Sequence, residues 1–166
     1  MVGAAGVLAV WIVPASGAAK PVPPGATLVK CKALITTEIP GGQTQELPGA
    51  ASGKQWGLAH CAKPLGIGVQ KNAFAVDQNS GEMKGSFRAY LATGTIFGKF
   101  KMVPQEGSLS NPGLSATFAS VSYMGTIKVV SGTGAWAGAN GTGTTTCNAS
   151  DGLHFTCINK LILTKL

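Results

Sequence analysis

From Leu28 onward the chain alternates apolar and polar residues with the two-residue period of strands, and no segment longer than about ten residues carries helical apolar spacing free of glycine or proline. The pattern predicts strands over residues 28–38, 66–76, 85–95, 95–103, 115–123, 126–130, 141–147 and 154–163. Eight strands joined by short turns suit an all-β fold, an antiparallel meander closed into an eight-stranded barrel, because closure removes the edges that so β-rich a chain must otherwise protect. Residues 39–59, dense in Pro, Gly, Ala and Gln, break the alternation and predict a long loop across one mouth of the barrel.

One segment carries more local information than the rest. After the β-branched run Thr126-Ile-Lys-Val-Val130 come glycines at 132, 134, 138, 141 and 143 around Trp136, and a threonine run follows directly. Glycine allows close backbone approach, so this reads as strand, tight corner with an aromatic plug, and strand. The small neighbours Ala135, Ala137, Gly138 and Ala139 leave room for the Trp136 ring. Residues Gly125 to Val130 and Gly132 to Gly141 resemble the Gly-Thr-Ile-x-Val-Val and Gly-Thr-Gly, aromatic, Ala-Gly-Ala-x-Gly patterns of the allene oxide cyclase and dirigent-like β-barrel family. The resemblance centres on residues 125–143 and implies an eight-stranded antiparallel barrel with an apolar interior, cyclisation or coupling of a bound substrate, and assembly into a trimer or dimer.

The 166 residues fit one domain, and 45% apolar content is enough for one core. The formal charge is +7, but twelve lysines and the sole arginine are scattered without a basic run, so nucleic acid is not an expected partner. Residues 1–19 form an uncharged apolar segment ending in Ser16-Gly-Ala-Ala19, which reads as a secretory signal, truncated where a basic start would stand. Residues 20–27, with Pro21, Pro23 and Pro24, form an extended leader, and residues 28–166 the domain. No stable membrane span is expected after processing, and the expected location is secreted or periplasmic.

Four cysteines without a Cys-x-x-Cys arrangement agree with export. Cys147 and Cys157 flank the turn-rich Asn148-Ala-Ser-Asp-Gly152, so a cross-strand disulfide there is the natural pairing, which leaves Cys31 for Cys61; other pairings are compatible with the spacing. The cysteines with His60 and His154 match no familiar zinc pattern, and no metal or cofactor is expected.

Candidate chemistry is sparse. Strand alternation puts Arg88 and Tyr90 on one face and Phe87, Ala89 and Leu91 on the other. If the first face points inward, a guanidinium and a phenol could orient an acidic or carbonyl-bearing ligand in an apolar cavity; if outward, they are solvated residues. Trp56, in the irregular segment, would meet a ligand if that segment crossed the mouth. Asp77, Glu82 and Asp151 read as turn formers, and no sequence-local carboxylate pair, nucleophile elbow or phosphate loop is present in the sequence. The expectation is a barrel holding a small apolar molecule through Arg88, Tyr90 and Trp56. The alternatives are steering of a cyclisation or coupling, as the resemblance implies, and a filled structural barrel engaged in surface interactions.

Overall fold

The computed structural model describes residues 22–38, 50–77, 79–105, 121–149 and 153–164. Eight antiparallel strands run around a closed barrel in sequence order: β1 (Thr27–Glu38), β2 (Ala50–Cys61), β3 (Ile67–Asp77), β4 (Met83–Leu91), β5 (Gly94–Pro104), β6 (Val121–Gly132), β7 (Gly141–Ala149) and β8 (His154–Leu163). β8 returns to pair with β1 from Thr27↔Leu163 to Thr36↔His154, so neither sheet edge is left open. Among the described residues there is no α-helix, only a 3-10 turn at Gly134–Trp136 between β6 and β7. The expected all-β, eight-stranded antiparallel barrel is therefore the observed fold. The signal-like segment and the start of the leader lie outside the described residues.

The strand count agrees with expectation through two differences that cancel. Residues 50–59, expected to be part of a loop, belong to β2, which pairs with β1 and β3 along its length. In the other direction, the separate strands expected at 115–123 and 126–130 are one continuous strand, β6, passing through Met124 and Gly125 without a turn; residues 115–120 lie outside the description.

β2 escaped notice because its polarity is inverted. Gly53, Gln55, Gly57, Ala59 and Cys61 share the inner face, while Trp56 and Leu58 face outward and stay about half exposed. The neighbouring strand comes close here: a Cβ on Gly57 would collide with the carbonyl of Leu34 and the backbone of Ile35 on β1. Glycine is thus a steric requirement at Gly57, and with glycines and a glutamine on the inner face the usual apolar-in, polar-out signal is lost.

Elsewhere the lumen is filled by large residues set against small ones, as a small barrel demands. One run of successive register partners reads Gly53, Phe74, Gly85, Phe100, Ile127, Gly143, Leu161 and Val29. The Phe74 ring covers Gly53, Phe100 covers Gly85, and Phe87 covers Gly98. Val29, Ile96, Val129 and Leu163 are essentially fully buried in this core, each such side chain contributing about 1.5–3 kcal/mol by leaving water. At the β6–β7 corner Gly134 (φ +62°) and Gly138 (φ +81°) occupy the left-handed region, and between them Trp136 folds back against Gly94 and Gly132. The aromatic at the glycine corner is 6% exposed, as the sequence implied.

Candidate ligand cavity in the barrel lumen

Both disulfides stand on the inner wall. Cys31 and Cys61 are direct register partners on β1 and β2, as are Cys147 and Cys157 on β7 and β8, with Cα separations of 3.9 and 4.0 Å. Direct antiparallel partners are near enough for a cross-strand bridge. This is the pairing expected from the sequence. Because β8 also pairs with β1, the two bridges are neighbours: Cys157 lies opposite Ala33, and Cys31 opposite Asn159. Met102 brings its thioether within 3.8 Å of Cys147 Sγ, and Met83 is its partner on β4, so one stretch of the lumen is lined largely by sulfur.

Within this wall lies a cavity of about 60 Å³. Its lining is mainly apolar, yet Gln55, Gln70, Asn72, Thr145 and Asn159 also face it. Three of these form a directional chain: Gln70 Nε2 donates to Asn72 Oδ1 at 2.9 Å, Asn72 Nδ2 donates to Gln55 Oε1 at 3.1 Å, and Gln55 Nε2 donates to Thr37 Oγ1 at 3.1 Å. Asn72 and Gln55 each retain one N–H and one acceptor lone pair beyond this chain, and Gln70 one N–H and both lone pairs. Thr145 Oγ1 lies 3.5 Å from Cys147 Sγ. Asn159, only 7% exposed and set between Cys31 and Thr145 in the register, makes no side-chain hydrogen bond with another described residue. The Asn159 amide lines the cavity without being sealed off, since among the described residues the one fully buried side-chain N or O atom without a partner is Trp136 Nε1, so the cavity presents polar groups suited to a water or a ligand.

Arg88 and Tyr90 are neighbours, as alternation required, with Arg88 Nη1 3.4 Å from the Tyr90 hydroxyl. They stand on the outer wall, however, where Arg88 also lies over the Phe97 ring at 4.9 Å from its centroid, and Phe87, Ala89 and Leu91 take the inner face. The condition for an inward guanidinium and phenol is not met. Trp56 is likewise on the outer wall of β2, 51% exposed, between Thr36 and Lys71. The structure brings none of these three into the cavity. His60 and His154 are on outer positions as well.

The amides were accessible to a stricter reading of alternation. Asn159 follows Cys157 by two residues, so a disulfide that faces inward carries Asn159 inward with it, and Gln70 and Asn72 share a face with Phe74 and Val76. What hid them was the habit of assigning polar residues to solvent.

Ionisable groups are concentrated outside. Asp77 caps the β3–β4 turn by accepting from the backbone N–H of Asn79 and Ser80, which holds its carboxyl below the ordinary range. Glu82, gripped by Lys101 at 2.6 Å and Lys84 at 2.5 Å, is also lowered. Asp77 and Glu82 thus have the turn positions expected of them, while Asp151 lies outside the described residues. Tyr123 faces the core beside Phe155, and burial pushes its phenol up. No cluster of three or more His, Cys, Asp or Glu that could hold a metal occurs among the described residues.

No family model matches the chain, and neither a curated protein nor a solved structure matches it. Among the described residues no helix is long and apolar enough to cross a membrane.

Proposed function

We propose that this is an exported, disulfide-stapled barrel whose lumen receives a small, mainly apolar molecule bearing one hydrogen-bonding group. The observation that carries this reading is the pairing of an apolar, sulfur-lined cavity with a cavity-facing Asn159 amide that makes no side-chain hydrogen bond with another described residue. Ligand pockets combine such apolar walls with a few polar groups that fix orientation. At about 60 Å³ the space takes a molecule of only a few heavy atoms, or a larger one if Met83 and Met102 change rotamer, which their unbranched side chains allow. The two disulfides accord with an oxidising compartment.

The same small volume favours a second reading, a filled structural barrel with a few internal waters. Steering of a cyclisation, implied by the resemblance of residues 125–143, would use the same wall and would add turnover of the guest. Methionine-methyl NMR of the oxidised protein, titrated with aliphatic ketones and lactones of five to eight carbons, separates these readings. The expected result is saturable shifts at Met83 and Met102, with affinity weakened about tenfold in Asn159→Leu, a loss of about 1.4 kcal/mol. No shift of either methyl at millimolar probe would leave the filled barrel as the reading, and conversion of the probe would establish turnover.

A further inference from the structure

The lysines that look scattered in the sequence are gathered by the barrel register. On the outer wall of β3 to β6, Lys71 faces Arg88, Lys84 faces Lys101, and Lys99 faces Lys128 as direct cross-strand partners. Like charges placed directly opposite on one sheet face destabilise it. Among the described residues only Glu82 offsets this arrangement by ion pairing, and it is committed to Lys84 and Lys101. Among the described residues no carboxylate pairs with Lys71, Arg88, Lys99 or Lys128. Three repulsive pairs on one wall, with a single acid among them, create a positive field that a bound polyanion would relieve.

We infer that this wall is a binding surface for a linear acidic polysaccharide. The cations form a band about 15 Å across, three strand spacings from Lys71 to Lys128, on the convex side of a barrel, a shape that meets a polymer strand along a line. The remaining outer positions among the lysines, Ser86 beside Lys99 and Thr126 beside Lys101, present hydroxyls suited to sugar hydroxyl groups. Nucleic acid is a poorer fit: the patch is built mainly on lysine point charges, its sole arginine guanidinium is engaged over Phe97 and near the Tyr90 hydroxyl, and the exposed rings, Trp56 beside Lys71 and Tyr90 near Arg88, stand at one edge of the band and not among Lys84, Lys99, Lys101 and Lys128. The disulfides also accord with an oxidising compartment.

The test compares two charge-matched variants. Lys99→Gln/Lys128→Gln removes one pair from the band, and Lys30→Gln/Lys160→Gln removes the like-charged cross-strand pair of β1 and β8 on the opposite wall. Binding of the oxidised protein to polygalacturonate and to heparin is measured over a salt series, with a single-stranded oligonucleotide and phosphatidylserine vesicles as competing probes. At low salt the band variant is expected to bind at least one of the polysaccharides five-fold or more weakly with a shallower salt dependence, and the opposite-wall variant within two-fold of the parent. Equal weakening by both variants, absence of binding to either polysaccharide, or tighter binding to the oligonucleotide or vesicles would overturn the inference. Lys128→Gln alone, with a two-fold or greater loss expected, keeps the test open if the double variant does not fold.

Discussion

Asn72 holds the polar chain of the lumen together, since its amide accepts from Gln70 and donates to Gln55. Asn72→Leu strands both partners in a buried setting and is expected to cost about 1–3 kcal/mol. Adding Gln55→Leu removes one of the stranded groups, so the double variant should be less destabilised than the sum of the singles. Urea unfolding of the four-member cycle measures this, and strict additivity would mean that the two amides do not act as a pair. At this scale the sequence was half legible. Arg88 and Tyr90 could be read as neighbours, but which of their faces looked inward depended on the opposite face, where Phe87, Ala89 and Leu91 fill the lumen. The amides were missed because they are polar residues on a wall where most positions are apolar.

The elements most tightly specified are those fixed by a crosslink. β1 with β2, and β7 with β8, are each locked in register by a bridge between direct partners. The sequence separations are 30 and 10 residues, for which the chain-entropy account gives about 3.7 and 2.7 kcal/mol. Cys31→Ser/Cys61→Ser should therefore lower stability by about 1 kcal/mol more than Cys147→Ser/Cys157→Ser, read from denaturant midpoints at constant m. The reverse order would show that native packing around the Cys147 bridge and Met102 outweighs loop closure. These two pairings and the β7 and β8 strands were readable because cysteine spacing and β-branched runs agree. β2 was not, because its inner face carries Gly53 under the Phe74 ring, Gly57 against the backbone of Leu34 and Ile35, and the polar Gln55, so the apolar-in signal is lost. The run into β6 was divided because Gly125 reads as a break, although it lies within strand pairing on both sides, its missing side chain leaving room for the backbone of Lys101 and Met102.

Across the whole molecule the wall divides two chemistries. Lysines, the arginine and the histidines of the described chain stand outside, and the lumen is left to hydrocarbon, sulfur and neutral amides. The same division separates the two proposed sites, so each can be abolished without touching the other.

The seam between the first and last strands has a topological consequence. Thr27 is the register partner of Leu163, which places the two ends of the barrel within about 5 Å of each other. Every strand also follows its spatial neighbour in the chain. The fold is in effect a ring, and the position of the cut is arbitrary. A circular permutant that joins residues 22 and 164 through a short Gly-Ser linker and opens between Asn79 and Ser80, in the exposed β3–β4 turn, is expected to regain the same far-ultraviolet spectrum and both disulfides. In that molecule β1 and β8 become sequence neighbours, while β3 and β4 must find each other across the length of the chain. Its refolding rate compared with that of the parent would tell which seam closes last.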